Sequence, residues 1–307
     1  MRTAFINKLM EIAEKDKDVY LLTGDLGFSV FEKFAEKFPD RFYNVGIAEQ
    51  SMIGIAAGLA LNGKKVYCYS IIPFVTMRCF EQIRIDLCYQ NLNVNLVGVG
   101  GGVSYSPAGA THHAIEDVAL MRALPNMKVI CPGDPFETEN AVEQVANIEG
   151  PTYIRLNRNH EPRLYNEANV KFELGKAIKI TEGNDISIIS MGNMLEESIR
   201  LTNRLIESGY KVKLLSMHTV KPIDKAAIYE CINDTKCIYT IEEHNVIGGL
   251  GSAAAEVIAA SGKGVKFRSF GIPDVYADCA GDREFFRKKY GIDEKSVFNK
   301  IVNDIKE

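Results

Sequence analysis

Val45-Gly46-Ile47-Ala48-Glu49-Gln50 runs directly into Ser51-Met52-Ile53-Gly54-Ile55-Ala56-Ala57-Gly58-Leu59-Ala60, and the join places one carboxylate at the mouth of an otherwise apolar, small-residue segment. A helix rich in Gly and Ala packs closely and offers no counter-charge. A carboxylate entering it is therefore costly unless a ligand or a polar partner accepts it. Taken alone, an acidic residue in a first helical turn is explained by the helix dipole. The sequence around it argues for more than that.

Working outward, residues 2–157 alternate apolar strand-like runs with helix-like segments, the pattern of a parallel sheet covered on both faces. The runs 19–23, 42–45, 65–69, 94–99, 128–131 and 152–156 read as strands. The segments 51–61, 75–89, 115–123 and 137–148 read as helices, the last with Asp134 as cap and Pro135 in its first turn. The opening residues from Met1 read as an amphipathic helix rather than a signal segment. A polar stretch at 157–169 interrupts the alternation, which resumes with strands at 186–190, 212–216 and 237–242 and helices at 194–208, from 225, and at 252–260. The expected organisation is α/β, two doubly wound domains at 1–160 and 175–307 joined by a linker at 161–174, as suits 307 residues.

The chain carries 36 Lys and Arg against 40 Asp and Glu, net charge −4, without a basic block, which argues against a nucleic-acid or membrane surface. No run is apolar enough to span a bilayer, so a cytoplasmic location is expected. Seven scattered cysteines without a C-x-x-C pair predict reduced, mostly buried thiols rather than a disulfide framework or a zinc site. Gly248-Gly249-Leu250-Gly251 precedes a helix but lacks the Walker and Rossmann spacings, so tight helix packing is the expected role.

Asn44-Val45-Gly46-Ile47-Ala48-Glu49-Gln50 resembles the pyrimidine-binding domain of thiamine-diphosphate enzymes of the transketolase and deoxyxylulose-phosphate synthase type. Further family motifs follow in order: Thr23-Gly24-Asp25-Leu26-Gly27, Phe38-Pro39-Asp40-Arg41-Phe42, Arg78-Cys79-Phe80-Glu81-Gln82, Gly109-Ala110-Thr111-His112-His113 and Leu124-Pro125-Asn126-Met127. Glu242-Glu243-His244-Asn245 with Gly248-Gly249-Leu250-Gly251 is similar to that family's C-terminal domain, so the resemblance covers the whole chain.

The resemblance implies that Glu49 hydrogen-bonds the cofactor's aminopyrimidine ring, helping the cofactor remove its own thiazolium proton, and that Glu49 is desolvated so that it can share a proton near neutrality. The ring needs an aromatic seat. Phe74, Met77 and Phe80 lie on one helical face at i, i+3 and i+6, with Phe74 the expected stacking residue and Phe80 flanking it. Asp25 and Leu26 match residues lining the cofactor. His112 matches the active-site histidine that binds substrate oxygen and helps proton transfer. Arg158, after the last strand of the first domain, matches a phosphate-gripping arginine, and Arg2 and Ser29 match two further phosphate contacts. Two departures stand out: transketolases usually carry an Asp where this chain has Ala108, and a His in the loop where it has Gly98 to Gly102. Losing those hydrogen-bonding groups points to an unusual sugar substrate.

The family's Gly-Asp-Gly diphosphate and magnesium motif is missing, and the resemblance assigns no metal ligand to this chain. It implies the C-terminal subunit of a split transketolase, completed in an α2β2 assembly by a separate N-terminal subunit that carries the Mg2+ ligands. The reaction implied is transfer of a two-carbon ketol unit from a ketose or ketose phosphate to an aldose. The alternatives are a deoxyxylulose-phosphate-synthase-like or 2-oxoacid-decarboxylating subunit and a catalytically silent regulatory or scaffold subunit.

Overall fold

The computed structural model describes residues 1–158, 161–166 and 170–306. Helix α1 (Arg2–Lys15) buries Phe5, Ile6, Leu9 and Ala13 on one face, as its amphipathic pattern requires. The first sheet contains β1 (Val19–Thr23), β2 (Phe42–Asn44), β3 (Lys65–Ile71), β4 (Val94–Val99), β5 (Lys128–Ile130) and β6 (Thr152–Leu156). Between them lie α2 (Glu32–Lys37), α3 (Glu49–Leu61), α4 (Ile72–Thr76), α5 (Phe80–Gln82), α6 (Asp117–Ala123) and α7 (Pro135–Val145). Asp134 caps α7 by accepting the amide of Glu137 at 2.8 Å.

The second sheet is built from β7 (Ile178–Thr181), β8 (Ile186–Ser190) and β9 (Val212–Ser216), followed, after the excursion of β10 (Thr219–Lys221), by β11 (Cys237–Asn245) and β12 (Lys266–Ile272). Its helices are α8 (Leu195–Glu207), α9 (Lys225–Asp234), α10 (Leu250–Ala260), α11 (Arg283–Tyr290) and α12 (Glu294–Lys306). The strand orders are β10-β5-β6-β4-β3-β1-β2 and β12-β11-β8-β9-β7. All pairings are parallel except β10 with β5 and β7 with β9, which close one edge of each sheet. Strand β10 belongs by sequence to the second half but completes the first sheet, so the two units share hydrogen bonds as well as contacts.

The core follows the same division. One cluster, including Phe5, Leu9, Tyr67, Tyr69 and Val142, fills the α1/α7 face of the first sheet. A second begins under α3 with Met52, Ile53 and Ala56 and continues through Met191, Leu215, Met217 and Leu250 into the second unit. Each buried Met, Ile or Leu side chain of this kind contributes about 1.5–3 kcal/mol, which makes the junction between the units part of the core rather than a loose contact. A third cluster, with Phe286, Val297 and Ile301, covers the far face of the second sheet.

One expected element is corrected. Residues 75–89 are not a single helix: the carbonyl of Pro73 accepts from both Met77 (3.1 Å) and Arg78 (3.3 Å), the chain turns at Met77 to Cys79, and Ile83–Tyr89 winds as a wider π-helix. The break separates Phe74, which packs with the α1-side cluster, from Phe80, which packs with the cluster under α3, so the two do not share a face. The segment between the units is strapped to α7: Asp134 accepts from Leu164 at 2.9 Å and Gln144 bonds Phe172 and Leu174 at 2.9 and 3.0 Å. Residues 159–160 and 167–169 of the expected linker region lie outside the described residues.

Candidate active site

Parallel strands present their following loops at one edge, and that edge gathers the residues singled out from sequence. Glu49 opens α3 after β2, Gly24 to Ser29 follow β1, Phe74 lies in α4 after β3, the glycine-rich loop follows β4, and Arg158 follows β6.

Glu49 is 2% exposed. A side chain at Gly24 would place its Cβ 3.3 Å from Glu49 Cγ, so a glycine there keeps the carboxylate's pocket open. Contrary to the expectation of no counter-charge, Arg78 Nη1 donates to Glu49 Oε2 at 2.8 Å and Ser70 Oγ donates to Oε1 at 3.2 Å. The Arg78 guanidinium simultaneously covers the Phe74 ring, its carbon 4.5 Å from the ring centroid. The break after α4 makes this possible, because it turns Arg78 back over its own helix. Arg78 belongs to a family motif, but no role attaches to it from sequence; its proximity to Glu49, 29 positions earlier, has no local spacing signal.

Beyond Phe74 the aromatic arc continues. The His112 ring stands edge-on to Phe74 at 5.2 Å and shares a 2.9 Å hydrogen bond with Thr111 through Nδ1. The adjacent His113 turns the other way, buried against Phe286 of α11 at 5.3 Å, and burial lowers its pKa. Tyr105 follows His112 at 6.0 Å, and the Arg158 guanidinium lies over the Tyr105 ring at 4.5 Å. Arg2 reaches the same place from α1, hydrogen-bonding Tyr69 and acting on the Tyr105 hydroxyl. Glu49, Arg78, Phe74, His112, Tyr105 and Arg158 thus form one continuous arc, with Arg2 at its cationic end.

Asp25 and Leu26 start the β1 loop beside Gly24. Asp25, at φ 57°, is held by Asn44, which accepts its amide and donates to its carboxylate, both at 3.0 Å. Ser29, at φ 63°, is exposed and its amide donates to Glu32 at 2.6 Å. Its loop is anchored by Phe31, edge-on to Tyr69 at 4.7 Å, close to where Arg2 binds. Met77 is half-buried at the helix break, and Phe80 lies on the opposite side of the sheet from Phe74.

The second unit fixes this edge from below. Glu243, fully buried on β11, accepts from the Val103 amide at 2.9 Å, Asn193 at 3.0 Å, Arg283 at 3.1 Å and Arg287 at 2.6 Å. Burial pushes its pKa upward, but the two guanidinium groups outweigh burial and hold it at about 2. Arg155 bridges the units by donating to Asp117 at 2.8 Å and to the Glu243 carbonyl at 3.1 Å. The glycines explain themselves here: a Cβ on Gly101 would meet Arg155 at 2.8 Å and one on Gly102 would meet Glu243 at 2.4 Å. In the second glycine run, Glu242 accepts the amides of Leu250 and Gly251 at the start of α10, both at 2.7 Å. That helix N-terminus carries the chain's own carboxylate in the place where other helices receive a phosphate. Of the seven cysteines six are buried and none is paired. No helix among the described residues is long and apolar enough to cross a membrane, and no group of three or more His, Cys, Asp or Glu among them could hold a metal ion.

Two linked doubly wound units bring a buried carboxylate, an aromatic platform, a histidine and cationic side chains to one sheet edge of a two-domain α/β protein, the edge at which such folds receive ligands. Residues 1–162 match the transketolase pyrimidine-binding domain and residues 175–297 the transketolase C-terminal domain. The chain is 39% identical to a protein of Methanocaldococcus jannaschii described as a transketolase C-terminal section, covering 100% of this chain and 96% of that one. It is also 39% identical to one of the subunits of the apulose-4-phosphate transketolase of Actinobacillus succinogenes, over 86% of this chain and 85% of the relative. A solved split-gene transketolase, described as an inactive β4 tetramer, superposes with a TM-score of 0.91 at 36% identity, over 99% of this chain and 98% of that one. The chain belongs to the transketolase family. It aligns nearly end to end with chains that split members carry as separate subunits.

Proposed function

We propose that this chain is the C-terminal subunit of a two-chain, thiamine-diphosphate-dependent transketolase that transfers a two-carbon ketol unit from a ketose or ketose phosphate to an aldose. The observation that carries the reading is the buried Glu49 carboxylate set beside the face of Phe74. An aminopyrimidine is a flat ring with a nitrogen that pairs with a carboxyl group. The Arg78 guanidinium, also flat and hydrogen-bond donating, already occupies that position against both groups, standing in for such a ring. When bound, thiamine diphosphate supplies a nucleophilic carbon and an electron sink for cleavage beside a ketose carbonyl.

In this reading Glu49 holds the pyrimidine nitrogen, Phe74 carries the ring, and Met77, Asp25 and Leu26 line its rim. His112 orients the sugar and moves a proton at its hydroxyl or carbonyl oxygen. Arg158 and Arg2, with Ser29 nearby, grip a phosphate. The Mg2+ ligands come from a separate N-terminal subunit in an α2β2 assembly. The outer face of α3 supports such a partner: Ile47 before it and Gly54, Ile55, Gly58 and Leu61 along it are exposed, and the two glycines face open space. A relative named for apulose 4-phosphate supports a sugar-phosphate substrate.

The test is calorimetric titration of thiamine diphosphate with Mg2+ into the chain alone and into the chain reconstituted with its N-terminal subunit. Binding only in the reconstituted sample, lost in Glu49→Ala, is expected. Equal binding by Glu49→Ala would overturn the assignment of the pyrimidine site.

A further inference from the structure

Resting on the ketol-transfer reading above, we propose that Tyr105 is a substrate-contacting, specificity-determining residue whose hydroxyl donates a hydrogen bond to the phosphate of the sugar gripped by Arg158 and Arg2. The ring lies between the histidine end and the cationic end of the arc, 6.0 Å from the His112 ring and 4.5 Å beneath the Arg158 guanidinium. Arg158 and Arg2 both act on its hydroxyl, which therefore sits where their positive charge converges.

Its position is built rather than incidental. Gly100 has φ +97°, and a Cβ there would stand 2.2 and 2.3 Å from two carbons of the Tyr105 ring. The ring thus fills the space that a side chain on the glycine loop would take, and Ala108 adds only a methyl group from the other end of the loop. In a loop lacking the hydrogen-bonding side chains expected at Ala108 and Gly98 to Gly102, Tyr105 supplies a polar group of its own. The loop is rigid: Gly100 and Gly101 donate to the Leu156 carbonyl at 2.8 and 3.2 Å, Gly102 and Ala114 exchange two 2.9 Å bonds, and Val103 is held by Glu243. Burial raises the pKa of the phenol against the pull of Arg158 and Arg2, so it keeps its proton and donates.

The experiment uses the assembled two-chain complex loaded with thiamine diphosphate and Mg2+, titrated with ribose 5-phosphate and separately with ribose. In Tyr105→Phe, which keeps the ring and its stacking, the Kd for ribose 5-phosphate should rise about tenfold, the worth of one hydrogen bond to a charged acceptor. The Kd for ribose should stay unchanged, and inhibition by inorganic phosphate should weaken in parallel. A Tyr105→Phe complex that binds ribose 5-phosphate as the wild type does overturns the inference, as does equal weakening for ribose, which would mark Tyr105 as loop packing. Wild type that binds ribose 5-phosphate no better than ribose overturns the phosphate grip itself, and this inference with it.

Discussion

Replacing Glu243 by Gln tests whether the second unit holds the active-site edge through a single carboxylate. Glu243 is fully buried and receives two guanidinium groups, a side-chain amide and the Val103 backbone amide. Its carboxyl is held at about 2 against an ordinary 4.5. A difference of that size corresponds to about 3 kcal/mol, in line with the roughly 3–5 kcal/mol lost when one partner of a buried ion pair is removed. Glu243→Gln should therefore lower the thermal midpoint at pH 7 by roughly 5–10 °C, read by near-ultraviolet circular dichroism. The sign of the pH dependence follows from the lowered value: the stabilisation is present above the unfolded carboxyl's pKa and is lost as pH falls through that of the folded one. The gap between wild type and variant should thus be full at pH 7 and roughly halved by pH 3. A midpoint change under about 2 °C at pH 7, or a gap undiminished at pH 3, would refute the reasoning.

Three further outcomes are expected. Arg78→Met removes the guanidinium that pairs with Glu49 and covers Phe74; half-saturation of the assembled complex by thiamine diphosphate should fall about fivefold, a partly exposed pair being worth about 1 kcal/mol, and weakened cofactor binding would count against Arg78 as an occupant of that seat. Gly249→Ala forces a Cβ to within 2.0 Å of Glu242 Oε2, so either α10 or the buried Glu242 carboxyl must shift; a loss of roughly 1–3 kcal/mol in chemical denaturation is expected, and a neutral result would mean that the carboxylate is not fixed on the helix. Glu242 itself is raised by burial to about 7 despite the amides of Gly251 and Leu250. Its contribution is therefore present below pH 4.5 and lost as pH rises through about 7, so Glu242→Gln, which mimics the neutral carboxyl and does not titrate, should gain on wild type in thermal midpoint between pH 5 and pH 8.

The strands β1, β4, β6, β8 and β9 are legible in the sequence because each is a short, mostly apolar run buried almost throughout, and they occupy the expected positions. The edge strands β7, β10 and β12 are not, for a physical reason: Lys266–Ile272 is only partly covered and mixes Lys, Arg and Ser with Phe, and Thr219–Lys221 is three residues long. The break after α4 leaves no local signal because residues 75–89 have helical composition throughout, and only the two amides competing for the Pro73 carbonyl reveal it. Glu49, Phe74, His112 and Arg158 can be nominated from motifs; Arg78, Tyr105 and Glu243 cannot be given roles that way, since each acts through a residue that is remote in the chain or pointing across a loop.

By itself, then, the sequence determined the two α/β units, the parallel strands within them and the residue types that follow each strand, because hydrophobic periodicity and turn chemistry are local. Tertiary structure alone decided that Arg78 would neutralise Glu49, that β10 would cross to the first sheet, that Glu243 would clamp the glycine loop and that the ring of Tyr105 would take the space left by Gly100. These outcomes depend on which side chains meet when sheets and loops close on one another, and that meeting is fixed by packing over the whole chain rather than by any stretch of it.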